Sequence, residues 1–316
     1  MTKQAVIDLG TNTFHLMIVE RAEDGKPKTL FRESRPAKIG KAGINKGIIT
    51  EEAIERALVV LRYFREVLTQ HDVSVDQVVA MGTSAIRSAD NKDEFIKRVQ
   101  QETGLTITVI SGDEEAAYIY QGVRAAGTLA QIDKAGSSAL VVDIGGGSVE
   151  FILCNDQRVF WKQSFEIGGQ RLMEKFMDTD PISPTAVRRL QSYFQEQLLP
   201  LTNAIHQYQP AVLVGSSGTF DTLVDMHYMH EQGVWPPAEQ VAFALPVSEF
   251  YRSYELLLTR DHTGRMALPG MIELRVDMIV VAACLIDYVL RTFGIQEIRV
   301  STYSLKEGVL ADLQNR

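Results

Sequence analysis

The hexapeptide DLGTNT at residues 8–13 returns as DIGGGS at residues 143–148. In each copy an apolar run ends in an aspartate, a glycine-bearing turn with polar side chains follows, and a second apolar run begins. This pattern predicts a strand, a tight turn and another strand. Because each copy opens one half of the chain, the repeat indicates that a single fold has been duplicated.

The predicted elements that follow the two copies come in the same order. In the first half, apolar runs predict strands at residues 5–9, 14–20, 29–34, 77–81 and 106–110, with a turn at Asp24-Gly25. In the second half they predict strands at residues 139–144, 150–153, 159–165, 211–214 and 298–301. Helices lie between the later strands, with Thr50 and Ser183-Pro184 as start signals and a last helix from about Ser304.

Both halves therefore have the order β-β-β-α-β-α-β-α, which predicts an α/β protein. We expect two domains, residues 1–126 and 127–302, that face each other across a cleft, because no long linker separates them. The place of the C-terminal helix, residues 303–316, is left open, with packing back on the first domain as one arrangement.

The composition is that of an ordinary soluble globular protein, with 45% hydrophobic and 23% charged residues among 316. A formal net charge of −8 argues against a general nucleic-acid binder, and two cysteines cannot build a disulfide framework. The apolar run at residues 278–286 is half the length of a membrane span, and Asp8 falls where a signal peptide would be apolar. We expect a cytoplasmic protein without a membrane partner.

One window departs from the acidic average. Residues 32–47 contain five basic residues against the single acid Glu33, and three glycines there indicate a loop. The basic residues are Arg32, Arg35, Lys38, Lys41 and Lys46. Two interpretations stay open, namely a solvated loop or a local binding strip for a polyanion.

The two repeated turns have the chemistry of phosphate-binding loops. Glycines let backbone N–H groups approach phosphate oxygens, and Thr or Ser hydroxyls add donors. Since an aspartate repels phosphate, Asp8 and Asp143 imply a divalent cation between carboxylate and phosphate. The turns have neither the glycine spacing of a dinucleotide fingerprint nor the Gly-Lys-Ser/Thr of a Walker A loop.

Several motifs carry a resemblance to a known family. DLGTNTFH at 8–15, SGDEEA at 111–116 and DIGGGSVE at 143–150 occur in this order, together with GTSAIR at 82–87 and LKEGVL at 305–310. They resemble the exopolyphosphatase and guanosine pentaphosphate phosphohydrolase family, within the actin and sugar-kinase superfamily. The resemblance covers essentially the whole chain, which looks like the short two-domain form of the family with two actin/ribonuclease-H-like domains.

The resemblance implies roles for the polar residues of these motifs. Glu115 would act as the general base and Arg87 would grip a phosphate. Asp143 and Glu150, with Asp8, would hold Mg²⁺, although Mn²⁺ suits the same oxygen ligands. Residues 215–219 would hold a nucleoside or a further phosphate. The candidate phosphate-binding residues are Gly10, Thr11, Asn12, Thr13, Gly145, Gly146, Gly147, Ser148, Ser217, Gly218 and Thr219.

The resulting hypothesis is an exopolyphosphatase that releases terminal phosphate from linear polyphosphate by metal-assisted attack of water. The alternatives are a guanosine pentaphosphate 5′-phosphohydrolase, an ATP-dependent kinase of the superfamily, and a non-catalytic sensor of polyphosphate or an alarmone. The oligomeric state is left open, with a homodimer compatible.

Two further features of the second half bear on this hypothesis. Val281-Ala282 stands where the family usually has Pro-Gly, after Arg275-Val276-Asp277, so a more regular helix is expected there. His227 and His230, spaced i, i+3, are interpreted as chance neighbours on a helix and not as a metal site.

Overall fold

The chain is described by a computed structural model at residues 3–21, 27–130, 132 and 138–315. The turn expected at Asp24-Gly25 and the last residue of the expected C-terminal helix, Arg316, lie outside these residues. The chain divides into two compact units, Met1–Glu115 and Ala116–Arg316. The predicted domain boundaries and the cleft stay predictions. Among the helices of the described chain, none combines the length and apolar character that crossing a bilayer requires.

The first unit contains a five-stranded sheet with helices between its later strands. Its elements are β1 (Lys3–Leu9), β2 (Thr13–Arg21), β3 (Pro27–Pro36), α1 (Glu51–Gln70), β4 (Val78–Gly82), α2 (Ser84–Arg87), α3 (Lys92–Thr103) and β5 (Ile107–Val109). The strand order is β3-β2-β1-β4-β5. Strands β1 and β2 pair antiparallel, whereas β1, β4 and β5 run parallel. Helix α4 (Gly112–Ala125) begins in the first unit and ends in the second.

The second unit repeats this sheet and extends it. Its elements are β6 (Ala139–Ile144), β7 (Val149–Cys154), β8 (Val159–Phe165), α5 (Gly169–Phe176), α6 (Pro184–Gln197), α7 (Leu199–Tyr208), β9 (Val212–Ser216), α8 (Gly218–Glu231), β10 (Ala242–Leu245), α9 (Val247–Thr259), α10 (His262–Met266), α11 (Met278–Phe293), β11 (Ile298–Ser301) and α12 (Leu305–Asn315). The strand order β8-β7-β6-β9-β11 matches that of the first unit, and β10 adds an edge strand. The predicted duplicated α/β fold is confirmed.

The sequence signals that begin two of the helices work as expected. Ala53 N donates a hydrogen bond to the Thr50 hydroxyl at 3.3 Å, and Ala186 N donates to the Ser183 hydroxyl at 3.1 Å. Each cap satisfies one of the N–H groups that a helix start leaves without an internal partner. Helix α1 then buries one face in the core of the first unit, as its apolar spacing predicts.

Two features of the second unit go beyond the sequence-based expectation or refine it. Strand β10 is not predicted, because its exposed positions are alanines and the alternation of buried Phe243 and Leu245 is hidden. Helix α11 runs unbroken through Val281 and Ala282, both fully buried, as expected from the absence of Pro-Gly. Since α11 is apolar around most of its circumference, it forms the centre of the second unit's core.

Helices α4 and α12 approach each other through two glycines. A Cβ atom on Gly308 would lie 1.8 Å from the Tyr118 carbonyl oxygen, and one on Gly122 would lie 2.1 Å from the Ser304 carbonyl oxygen. The backbones of the two helices are therefore in direct contact, which fixes Ser304 at the start of α12.

Gly308→Ala should lower the free energy of unfolding by about 1–3 kcal/mol, because the added methyl group forces two backbones apart. Gly169→Ala is the matched control, since its Cβ would meet Met278 Cβ at an ordinary contact distance of 3.4 Å. Urea unfolding of the two variants beside wild type checks this. Equal stability of both variants would contradict the close contact.

Candidate functional site

Four strands of the second unit carry a row of polar side chains at the same level. Asp143 on β6 lies directly opposite Glu150 on β7, Ser216 on β9 lies beside Asp143, and Ser164 on β8 lies beside Glu150. Directly opposite residues project from the same face of a sheet with Cβ atoms about 5 Å apart. Two carboxylates therefore stand side by side, flanked on each side by a hydroxyl.

The hydroxyl groups of this row are bound to the carboxylates. Ser216 Oγ and Ser304 Oγ each donate a hydrogen bond of 2.5 Å to Asp143 Oδ2. Ser164 Oγ donates a hydrogen bond of 2.6 Å to Glu150 Oε1. Burial raises the pKa of Asp143, while the hydrogen bonds from Ser216 and Ser304 and the charges of Lys306 and Arg275 oppose that shift.

The donor set of this row fits a divalent metal ion. Asp143 and Glu150 are both buried, and their like charges oppose each other across the strands. A cation between them would relieve that repulsion, and carboxylate oxygens are the ligands that Mg²⁺ prefers. The role of this pair in binding metal stays a prediction.

The glycine turn after β6 directs a series of N–H groups to one side. The carbonyl groups of Gly145, Gly146 and Gly147 accept hydrogen bonds of 2.8–3.1 Å from the N–H groups at residues 168–170, where α5 begins. In a trans peptide the N–H points opposite to the carbonyl of the same unit. The N–H groups of Gly146, Gly147 and Ser148 therefore point away from α5, an arrangement that suits an anion.

The turn after β9 lies at the same edge of the sheet, because β6 and β9 are parallel. Ser217 takes up φ +74°, a left-handed conformation, and its hydroxyl donates to the Ile144 carbonyl oxygen at 3.4 Å. Arg275 packs against the turn, since a Cβ on Gly218 would lie 2.1 Å from an Arg275 guanidinium nitrogen. Thr219, in the first turn of α8, is buried.

Sequence reasoning missed the charged groups behind this edge. Burial raises the pKa of Asp221 to about 7, although Lys306 and Arg275 oppose the shift. Burial likewise lowers the pKa of Arg275, which Asp221 and Asp143 partly offset. Arg275 and Lys306 had a signal, because they belong to the Arg-x-Asp pattern and to the LKEGVL motif, whereas Asp221 had none.

The first unit builds its equivalent turn with a different partner. The Asn12 carbonyl accepts hydrogen bonds from the N–H groups of Ala37 and Lys38 at 3.0 and 2.9 Å, and the Thr11 carbonyl accepts from Gly40 at 3.0 Å. The basic loop at residues 37–40 thus takes the place that the start of α5 has in the second unit. By the same peptide geometry, the N–H groups of Asn12 and Thr13 point away from this loop.

Asp8 has a different neighbour from its counterpart Asp143. It lies directly opposite His15 on β2, and His15 lies beside Ser34 on β3 with Nδ1 and Oγ 2.6 Å apart. His15 therefore holds the position that Glu150 holds in the second unit, so the first unit does not pair two carboxylates across these strands. Metal binding by Asp8 stays a prediction.

Arg87 and Glu115 form an ion pair in the first unit. Arg87 Nη1 donates to Glu115 Oε2 at 2.7 Å and to the Ile110 carbonyl oxygen at 3.2 Å. Both residues lie on helices that follow parallel strands, since Arg87 ends α2 after β4 and Glu115 lies in the first turn of α4 after β5. The pair joins the two candidate catalytic residues at the edge that also carries Gly10.

Glu114 and Glu115 have different structural roles. Glu114 Oε2 accepts hydrogen bonds of 2.8 Å from both the N–H and the hydroxyl of Ser111, and Glu114 N donates back to that hydroxyl at 3.1 Å. This reciprocal arrangement is a capping box at the start of α4. Glu114 therefore stabilises the helix start, whereas Glu115, which is 7% exposed, projects toward Arg87.

Comparison with known proteins gives the site its family context. A model of the Ppx/GppA phosphatase family matches residues 18–316. The crystal structure of an exopolyphosphatase from Cytophaga hutchinsonii is similar, with 44% identity, a TM-score of 0.93 and coverage of 99% of this chain and 98% of that one. The Ppx/GppA family member from Aquifex aeolicus has 26% identity, a TM-score of 0.76 and coverage of 99% and 97%.

A longer relative also matches. The bifunctional 3-dehydroquinate synthase/phosphatase of Fusobacterium nucleatum is 28% identical over 328 residues, which cover 99% of this chain. They cover 47% of that protein, so the chain spans about half of this relative's length.

Asp221→Asn should remove a loss of stability that wild type shows as the pH rises from about 4 to about 7. The unfolded chain loses this proton near pH 4, whereas the folded chain keeps it to about pH 7, so wild-type stability falls between these values. The difference between variant and wild type should grow across this window, by at most about 1.4 kcal/mol per pH unit, and be constant above it. Urea unfolding at pH 4.5, 6 and 8 measures it. Glu239→Gln removes an exposed charge as a control, and a pH-independent difference for Asp221→Asn would refute the prediction.

Proposed function

The chain belongs to the Ppx/GppA phosphatase family, and from this we propose that it is an exopolyphosphatase. It would remove the terminal phosphate of linear polyphosphate by in-line attack of water. The Cytophaga hutchinsonii relative is an exopolyphosphatase, which supports this reaction among those of the family.

The observation that favours polyphosphate is the attachment of the basic loop to the first glycine turn. The backbone of residues 37–40 is hydrogen-bonded to the carbonyl groups of Thr11 and Asn12, which attaches the loop that carries the lysines to the first glycine turn. Lys38, Lys41 and Lys46 are exposed. A chain of phosphates that extends past the turn would meet these ammonium groups, whereas a short phosphate group would not reach them.

Glu115 is proposed as the base that accepts the proton of the attacking water. The water oxygen forms a bond to the terminal phosphorus, and the bond from that phosphorus to the bridging oxygen breaks. Arg87, 2.7 Å from Glu115, would orient the carboxylate and compensate negative charge on the phosphate. Turn N–H groups would hold the phosphate oxygens where charge develops in the transition state.

Asp143 and Glu150 are proposed to hold Mg²⁺ in the second unit. When bound, the ion supplies charge neutralisation of phosphate oxygens and lowers the cost of the developing charge. The hydroxyl groups of Ser216, Ser304 and Ser164 would hold both carboxylates in position as ligands through their hydrogen bonds.

The deciding experiment measures phosphate release from long polyphosphate, a short oligophosphate, guanosine pentaphosphate and ATP side by side, with and without Mg²⁺. We expect fastest release from long polyphosphate, and loss of release after chelation. Preference for guanosine pentaphosphate would select the alternative phosphohydrolase. Release from ATP only when a hydroxyl acceptor is present would replace hydrolysis by a kinase reaction, and binding without turnover of any substrate would indicate a sensor.

Glu115→Gln should lower turnover of polyphosphate about 10²–10⁴-fold, because glutamine keeps the shape of the side chain but cannot accept a proton. Binding of polyphosphate should change far less. Glu114→Gln is the matched control. It should lower the thermal stability of the protein, because it weakens the capping box, and it should leave turnover largely unchanged. If Glu114→Gln abolishes turnover and Glu115→Gln does not, the base is Glu114 and not Glu115.

Neutralising Lys38, Lys41 and Lys46 together to glutamine should raise KM for long polyphosphate more than KM for a short oligophosphate. The difference should shrink with added salt, because exposed charges are screened over about 8 Å at physiological ionic strength. Steady-state kinetics at two salt concentrations measure it. Equal effects on both substrates would show that the loop is only a solvated surface.

A further inference from the structure

Two histidines and two glutamates meet at the C-terminal end of α8, away from its first turn. His227, His230 and Glu231 lie on α8, and Glu249 lies in the first turn of α9, a helix that packs against α8. Within the described chain, His227, Glu231 and Glu249 each offer a ligand atom within 4.8 Å of the others. The sequence-based interpretation of the histidines as chance neighbours lacked Glu249, which only the packing of the two helices supplies.

The separations between these groups fit the edges of a metal coordination shell. His227 Nδ1 lies 3.6 Å from Glu249 Oε2, and His230 Nδ1 lies 3.4 Å from the same oxygen and 3.2 Å from Glu231 Oε1. Zinc-to-ligand bonds of about 2.0–2.2 Å place tetrahedral ligand atoms about 3.3–3.6 Å apart. His227 Nδ1 is buried and has no hydrogen-bond partner in the described structure.

We propose that His227, Glu231 and Glu249 bind a divalent transition-metal cation of the zinc class, with His230 beside them. Imidazole nitrogens suit zinc, cobalt, nickel and copper, whereas magnesium prefers an all-oxygen shell. The spacing of residues 227, 230 and 231 puts all three on one face of α8. This site is separate from the Asp143–Glu150 pair and does not depend on the proposed phosphatase reaction.

Arg252 fixes the orientation of the Glu249 carboxylate. Its Nε donates a hydrogen bond of 2.9 Å to Glu249 Oε2, which fixes the carboxylate as outer partners of metal ligands commonly do.

A cation at this site would tie α8 to α9 across the segment that joins them. That segment contains β10, the edge strand that the second unit adds to the common sheet. A cation that binds the folded chain and not the unfolded one would stabilise the folded unit.

The test uses the full chain carrying Asp143→Asn, so that the proposed Mg²⁺ pair does not contribute. We expect Zn²⁺ to raise its Tm by about 5 °C at 100 times Kd, and Mg²⁺ at that concentration to leave Tm unchanged. Co²⁺ should give the visible absorption bands of a four-coordinate site. His227→Ala and Glu249→Gln should each abolish both signals, and so should Glu231→Gln, whose exposed side chain is not needed for folding.

His206→Ala is the matched control, because His206 is an exposed histidine on α7 outside this cluster, and it should keep both signals. The proposal is overturned if Zn²⁺ gives no shift. It is equally overturned if the shift survives in Glu231→Gln, if His206→Ala removes it, or if Mg²⁺ produces the same shift.

Discussion

Two carboxylates held side by side in a buried row impose the main constraint on the second unit. The register of β6 and β7 puts Asp143 directly opposite Glu150, an arrangement that opposes like charges and would destabilise an ordinary sheet. Hydrogen bonds donated by the hydroxyl groups of Ser164, Ser216 and Ser304 offset this electrostatic repulsion. Ser304 lies at the start of α12, and the close packing of α12 on α4 through glycines fixes its position beside Asp143.

The two units of the duplicated fold share a backbone arrangement but carry different polar side chains on it. In both units a glycine turn after a central strand gives its carbonyl groups to a neighbouring segment and turns N–H groups the other way. The neighbouring segment is the start of α5 in the second unit and a lysine-bearing loop in the first. The residue opposite the aspartate is Glu150 in one unit and His15 in the other, so the duplication preserves geometry while the polar groups diverge.

Much of the fold could be predicted from the sequence, because β6 begins as an uninterrupted apolar run that ends just before the Gly145-Gly146-Gly147 turn, and the same pattern at β1 shows the duplication. The separate tasks of Glu114 and Glu115 needed coordinates, since neighbouring glutamates look alike until one is seen to cap Ser111. Contacts between segments distant in the chain left no local signal either. Ser304 at Asp143 and Glu249 beside His227 are of this kind, because they depend on how helices pack.

To act on polyphosphate as proposed, a protein with a formal net charge of −8 would have to attract the polyanion locally. At physiological ionic strength the field of exposed charges decays over about 8 Å, so the overall charge matters less than the groups beside the substrate. Peptide N–H groups attract anions without adding a charge that needs a counter-ion, and both glycine turns supply them. On the proposed function, the lysines of the first unit's loop would act only where the phosphate chain extends beyond the turn. Discrimination by length would then follow from neutral donors at the turn and exposed cations on the attached loop.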